Sequence, residues 1–120
     1  MGRTVELQPW TVLRGAYSYY EIVQETRDWV STSGHDIGTA TVEVPEMTDA
    51  EFFLEGCDDT GGSFSMIDGL TLPATEPQVS NMLRIMPMGS AGRLYSYLRW
   101  RIKPTNDNWS VTFRVNVVLK

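Results

Sequence analysis

The only histidine and the only cysteine are the side chains of this 120-residue chain best suited to nucleophilic catalysis. His35 stands in the loop 32–36 (Thr-Ser-Gly-His-Asp), and nothing nearby resembles the nucleophile elbow of a hydrolase. Cys57 precedes Asp58 and Asp59, whose negative charge disfavours a thiolate, so we expect it to be a small buried residue at a strand end. The residue types therefore favour a protein with no catalytic residues, and a small enzyme built on His35 or on a carboxylate pair is the weakest hypothesis.

The segment 58–62 (Asp-Asp-Thr-Gly-Gly) carries clustered oxygen ligands on a glycine-rich turn, which would suit Ca²⁺. It lacks the ligand spacing and the distal glutamate of an EF-hand, and it also makes an ordinary turn without a metal ion. We predict no metal and no cofactor, with calcium at this turn as the alternative.

Four tryptophans and five tyrosines could build an aromatic platform for a carbohydrate. Trp100 and Trp109, however, stand in register with the apolar residues of their strands, which predicts that both lie in the core. Tyr95 and Tyr97 are freer to lie at a surface or an interface. A carbohydrate-binding module is therefore the second hypothesis for function.

Five basic residues of the second half, together with Tyr95 and Tyr97, form the predicted partner-binding set. Arg99, Arg101 and Lys103 alternate along one strand, and we expect Arg114 on the corresponding face of the next strand, with Arg84 nearby. Like charges side by side on a sheet destabilise it unless something pairs with them. Three partners are open: the acidic segments 39–44 or 51–55 of the same chain, an acidic face of another subunit, or nucleic acid phosphates.

The elements that must position these side chains are strands. Residues 97–103 and 109–119 alternate apolar and polar side chains, and the turn-forming segment 104–108 separates them. This pattern predicts that the chain ends in an antiparallel β-hairpin. Shorter strand signals cover 39–44, 51–55, 63–67 and 81–86. Pro45 ends the first, the second runs into the turn cluster 57–62, and the last ends before Pro87.

Turn signals recur every 8–12 residues, and no segment carries a sustained helical stripe. We therefore predict an all-β fold: a single antiparallel β-sandwich, jelly-roll or Ig-like, of about seven to nine short strands. One domain spans 1–120. The N-terminal segment 1–20 and the loop 69–80 are candidates for arms that become ordered on a partner.

Charge is divided unevenly along the chain. Up to Glu76 there are 14 acidic and 3 basic residues, and from Pro77 onward there are 1 acidic and 7 basic residues, which together make the net charge of −5. The acidic balance makes nucleic acid an unlikely partner. No apolar run approaches the length of a membrane helix, and the N-terminus has no signal-peptide segment, so we expect neither membrane association nor secretion.

The order of motifs from about residue 29 to the C-terminus resembles that of small β-sandwich virion proteins of tailed phages, such as capsid-decorating and minor head or tail proteins. In that pattern a Ser-Gly-x-Asp turn precedes an aliphatic strand, an acidic Gly turn leads into an aromatic strand, and an Arg-rich strand precedes a final Phe-x-Val strand. The matching segments are 33–36 (Ser-Gly-His-Asp), 41–44 (Thr-Val-Glu-Val), 55–64 (Glu-Gly-Cys-Asp-Asp-Thr-Gly-Gly-Ser-Phe), 93–100 (Arg-Leu-Tyr-Ser-Tyr-Leu-Arg-Trp) and 111–115 (Val-Thr-Phe-Arg-Val).

This resemblance implies a structural protein of a virion or related particle, assembled in the host cytoplasm. Such a protein binds and stabilises a shell of capsid or tail subunits, as a homo-oligomer such as a trimer or around a local symmetry axis. The acidic segment 45–51 and the loop 70–80 have no counterpart in the pattern.

Overall fold

The computed structural model describes residues 3–15, 21–35, 37–57, 65–72, 82–88 and 94–120, with 65–72 and 82–88 described as backbone. Two antiparallel sheets pack face to face over these residues, which confirms the predicted all-β sandwich. The first sheet, sheet A, has the order β1-β9-β4-β7: β1 Arg3–Gly15, β9 Trp109–Leu119, β4 Gly38–Thr48 and β7 Met82–Met88. The second, sheet B, has the order β2-β8-β5-β6, with β3 also paired to β8: β2 Ile22–Val23, β8 Tyr97–Pro104, β5 Ala50–Cys57, β6 Ser65–Leu72 and β3 Val30–Ser31.

The core lies between the sheets and is built by the alternation that the sequence displays. β9 is the clearest case, because its residues are buried at every second position from Trp109 to Leu119. Phe113, which is fully buried, packs its ring 5.1 Å from that of Trp100 and 5.4 Å from that of Phe52. Aromatic rings at these separations and angles add to the hydrophobic stabilisation.

The predicted C-terminal β-hairpin is wrong, because β8 and β9 do not pair. β8 lies between β5 and the short strands β2 and β3 in sheet B, whereas β9 lies between β1 and β4 in sheet A. The chain crosses from one sheet to the other at residues 105–108. Both arrangements give two alternating strands joined by a short polar turn, so the alternation alone does not distinguish an arch between sheets from a hairpin.

A second crossing accompanies the first one. β4 ends at Thr48 in sheet A and β5 begins at Ala50 in sheet B, with Asp49 between them at a φ of 50°. Asn108, at the other crossing, has a φ of 56°. The amide of Thr105 donates to the carbonyl oxygen of Asp49 over 2.9 Å, which ties the two crossings together. Asp and Asn are the residues other than glycine that best tolerate this left-handed backbone.

Two prolines lie inside strands where the sequence pattern predicted a strand end. Pro45 lies in β4 where its register with β9 shifts between Glu43 and Glu46, and Pro87 lies in β7, at the edge of sheet A. A bulge and an edge strand are the two places where a sheet accepts proline, which has no amide hydrogen to donate.

The two segments predicted as candidate arms are partly within the sandwich. In the segment 1–20, β1 pairs with β9 from Arg3 to Gly15, with two register shifts between Glu6 and Thr11, and residues 16–20 lie outside the described part. In the segment 69–80, residues 69–72 belong to β6 and the rest also lies outside it. The one helix among the described residues is a single 3₁₀ turn at Thr26–Asp28, so none there is long and apolar enough to cross a membrane.

Candidate functional site

The outer face of sheet B carries a network of charges centred on Glu55. One carboxylate oxygen accepts from Nε of Arg99 at 3.0 Å, and the other accepts from Nε of Arg101 at 2.7 Å. Arg101 also binds Glu21 through Nη1 at 2.6 Å. The Glu55 side chain is only 5% exposed, so these contacts are charge-assisted hydrogen bonds in a largely dry environment.

Strand register explains why this network forms. In the β5–β8 pair Glu55 stands opposite Arg99, and Arg101 is opposite Phe53, one diagonal step from Glu55. The Arg101 guanidinium lies 4.0 Å from the centre of the Phe53 ring, and that of Arg99 lies 5.3 Å from the Trp29 ring. Each guanidinium therefore has an aromatic face as well as a carboxylate, which holds it in place.

Arg114 forms a separate ion pair on the opposite outer face of the sandwich. It stands opposite Glu43 in the β9–β4 register, and its Nη2 donates to Oε2 of that residue. The guanidinium also lies 4.7 Å from the ring centre of Trp10 on β1. The expectation that Arg114 shares a face with Arg99 and Arg101 is therefore wrong, because it depended on the hairpin.

Intramolecular pairing, the first of the three alternatives, is what the structure shows for Arg99, Arg101 and Arg114. Lys103 is exposed and stands opposite Glu51. Arg84 pairs in register with Val42, and its side chain lies outside the described part.

The two tyrosines of the predicted set lie in different surroundings. Tyr95 packs partly buried against the core and over Gly56, where an added Cβ would overlap the tyrosine ring. Tyr97 is half-buried and lies on the outer face of sheet B, opposite Cys57 and Ser31. The partner-binding role of the set stays a prediction, but its charges are largely matched within the chain.

Two exposed apolar side chains on β1 form a feature that sequence reasoning missed. Trp10 is 51% exposed and Val12 is 60% exposed, both on the outer face of sheet A, and we call this pair the β1 patch. The free edge of β1 contains Pro9 and two register shifts. Both interrupt the row of backbone hydrogen-bonding groups along this edge, which disfavours the addition of another strand. Trp10 was visible in the sequence as a platform candidate, but a strand with bulges does not show a regular alternation that assigns its faces.

The other sequence-predicted residues are placed as follows. Cys57 is buried at the end of β5, as expected. His35 and Tyr97 line a polar cleft of about 340 Å³ together with Ser31, Ser33 and Ser96, and the described lining contains no Asp or Glu to orient the imidazole. The turn 58–62 lies outside the described residues, and within them no group of His, Cys, Asp and Glu could hold a metal ion.

Trp100 and Trp109 are buried, as the alternation predicted, so neither belongs to an exposed aromatic platform. Nε1 of Trp100 donates to Oε1 of Gln8 at 2.9 Å, whereas Nε1 of Trp109 is buried without a partner. Trp109 lines a second cleft at the end of sheet A, with Arg14, Gly15, Asn108 and Ser110.

No protein-family model matches this chain, and no curated protein sequence matches it.

Proposed function

We propose that this chain is a non-enzymatic structural protein of a virus-like or phage particle, which binds and stabilises a protein shell of capsid or tail subunits. The proposal rests on the order of motifs from 33–36 to 111–115, and on one structural observation, the β1 patch. Exposed apolar side chains grouped on a rigid sheet are typical of a protein interaction surface. Aromatic residues, tryptophan above all, are the usual anchors of such surfaces.

The matched charges favour a protein as the partner over a nucleic acid. Arg99, Arg101 and Arg114 each hold a carboxylate of this chain, so a phosphate would have to displace Glu55 or Glu43. Binding of phosphates depends on cations that are free to release counterions. The β1 patch, in contrast, offers apolar area beside polar side chains, which is the composition of a protein interface.

A carbohydrate-binding module remains the second candidate, because half-exposed Trp10 offers a stacking surface. Two of the four tryptophans that could have contacted a sugar, Trp100 and Trp109, are buried in the core. Arg114 also lies over the Trp10 ring, which leaves one ring face for a sugar.

The test is particle occupancy. The chain is expressed in its host, particles are isolated on a density gradient, and the copy number of the chain is measured by quantitative mass spectrometry. We expect a fixed ratio of chain to shell subunit, and sedimentation of the purified chain as a homo-oligomer such as a trimer. W10S/V12S should lower occupancy at least tenfold, and the matched control V23S, which alters a 37%-exposed valine on sheet B, should not.

Two results would overturn the proposal. One is a monomer that is missing from every particle fraction. The other is a glycan array on which the chain binds tightly and W10S does not, which would establish the carbohydrate-binding alternative.

A further inference from the structure

The polar cleft of about 340 Å³ lies where the turn after β3 meets the start of β8. Its lining includes Ser31 and Ser33, which are exposed, and His35 and Tyr97, which are partly exposed. Its volume is at the lower end of the range for small-molecule sites, about 300–1,000 Å³. The cleft belongs to sheet B and is therefore separate from the β1 patch on sheet A.

Backbone hydrogen bonds fix both walls of this cleft. The amide of Thr32 donates to the carbonyl oxygen of Ser96 over 2.9 Å, which joins the end of β3 to the chain just before β8. The amide of His35 donates to the carbonyl oxygen of Thr32 over 3.0 Å and closes a turn in which Gly34 has a φ of 82°. A positive φ at the third residue of a turn is the type II geometry, which favours glycine. The turn therefore holds Ser33 and His35 at a defined place beside β8.

Strand register places two of the hydroxyl residues side by side. Ser31 stands opposite Tyr97 in the β3–β8 pair, on the outer face of sheet B. Because the Thr32 amide bonds to Ser96, Ser31 and Tyr97 form the non-hydrogen-bonded kind of pair, in which facing side chains are closest. The amide of Ser33 donates to Oγ of Ser31 over 3.4 Å, so the turn folds back toward this pair.

The polar groups of these four side chains are available to a ligand. Within the described part of the chain, the hydroxyls of Ser31, Ser33 and Tyr97 donate no hydrogen bond, and the imidazole of His35 makes none. A hydroxyl group both donates and accepts, and a neutral imidazole has one donor and one acceptor nitrogen. The hydroxyls of a sugar have the same dual character, so each can be matched in both directions by such a lining.

An anion fits this cleft less well than a neutral ligand. The described lining contains no Arg or Lys. Arg3 binds the carbonyl oxygen of Ser31 at 3.3 Å, and in this register that oxygen points away from β8. Arg99, the next outward residue along β8, is held by Glu55. Because anion sites favour charged donors, the uncharged lining favours a neutral polyhydroxyl ligand.

We propose that this cleft binds a neutral saccharide, either a free sugar or the end of a glycan. The hydroxyls of Ser33 and Tyr97 and the imidazole of His35 bond to the sugar hydroxyls. The half-buried Tyr97 ring offers an apolar surface to the C–H face of the sugar ring. This site does not depend on the proposed function, because the β1 patch lies on the other sheet and both surfaces are accessible at the same time.

The experiment follows the amide signals of the full ¹⁵N-labelled chain by NMR at pH 7 during titration with the methyl glycosides of glucose, galactose, mannose and N-acetylglucosamine. Sodium phosphate at matched ionic strength is the charged probe. We expect at least one glycoside to shift the signals of Ser33, Gly34, His35 and Tyr97 to saturation with a Kd of about 1 mM, which is ordinary for a ligand of about 13 non-hydrogen atoms. Phosphate should leave these signals unchanged. An array of neutral glycans separates the two sources, because binding to it indicates a glycan end, whereas a response to the methyl glycosides alone indicates a free sugar.

Two variants make the proposal specific, and a third is the matched control. Y97F removes only the tyrosine hydroxyl and H35A removes the imidazole from an accessible turn, so each should weaken binding about fivefold or more. W10S alters an exposed aromatic residue of the other sheet and should bind as the parent does. The remaining signals of each spectrum report whether the fold is kept.

Four results would overturn the proposal: no neutral glycoside or glycan binds, phosphate shifts the same signals to saturation, Y97F and H35A both bind as tightly as the parent, or W10S abolishes the response. Y97F and H35A should leave particle occupancy unchanged, so this proposal and the proposed function fail separately.

Discussion

Replacing Glu55 with glutamine removes the charge on which two arginines depend, while the shape of the side chain stays nearly the same. Glu55 is 5% exposed at its side chain, Arg99 is 18% exposed and Arg101 is 15% exposed. Breaking a buried ion pair by removing one partner costs about 3–5 kcal/mol, because the remaining charge is left buried without compensation. Arg101 keeps Glu21, and the new amide keeps one acceptor oxygen, so we expect a loss of about 2–4 kcal/mol.

The assay is equilibrium urea unfolding at pH 7, followed by tryptophan fluorescence. With a denaturant slope of about 2 kcal/mol/M for a domain of this size, E55Q should lower the unfolding midpoint by about 1–2 M. E51Q is the matched control, because Glu51 lies on the same strand and face and stands opposite exposed Lys103. Exposed pairs contribute about 0–1 kcal/mol, so this control should lower the midpoint by less than about 0.5 M.

A double-mutant cycle then assigns the loss to individual contacts. E55Q combined with R99Q should lower the stability by less than the sum of the single changes, with a coupling of about 1–3 kcal/mol. If E55Q costs no more than E51Q, or if the cycle shows no coupling, the buried network contributes nothing beyond an ordinary surface pair. Either result would refute the inference that Glu55 stabilises the β5–β8 pairing through its two arginines.

Three further changes test the packing, each read from thermal or urea unfolding. G56A forces a methyl group into the space that the Tyr95 ring occupies and should lower the free energy of unfolding by about 1–3 kcal/mol. In a Y95A background the same change should cost much less, and an undiminished loss there would contradict the contact. F113A should cost about 3–5 kcal/mol and F113L less than about 2, because the ring fills the centre of the core; equal costs would argue against this packing. N108V should cost about 1–2 kcal/mol at its φ of 56°, whereas N108G should be neutral or stabilising, and a tolerated valine would contradict the left-handed backbone.

The strands and the core could be predicted from residue alternation, since that alternation is the direct result of burying one face of a strand. Alternation assigns Trp100 and Trp109 to the core, and both are buried. The bounds of β4 and β7 could not be predicted, because a proline in the sequence usually marks the end of a strand. Pro45 is accepted inside β4 because it lies at a bulge, and Pro87 is accepted inside β7 because that strand is at the edge of the sheet. The exposure of Trp10 depends on the irregular register of β1, which no local pattern reveals.

The site was harder to predict because it depends on which strands are neighbours. Alternation specifies the two faces of a strand and is silent about the strand beside it. Sequence reasoning predicts one basic face on β8 and β9. In the structure these strands lie in different sheets, so their arginines lie on two separate surfaces. The unpaired indole nitrogen of Trp109 is also beyond sequence reasoning, since Gly15, which lies beside it, belongs to a strand that the sequence does not show to be its neighbour.

The charge pattern nevertheless contained the information that corrects the hairpin. Pairing β8 with β9 would place Arg99, Arg101 and Lys103 on the same sheet face as Arg114, and like charges that close are destabilising. Pairing β8 with β5 and β9 with β4 instead places Glu55 and Glu43 beside the arginines. An acidic first part and a basic second part thus favour pairing of β8 with β5 and of β9 with β4 over pairing of β8 with β9, although β5 also pairs with β6 within the first part. In this chain the division of charge favours these strand neighbours, and as a result Arg99, Arg101 and Arg114 are each held by a carboxylate of the same chain.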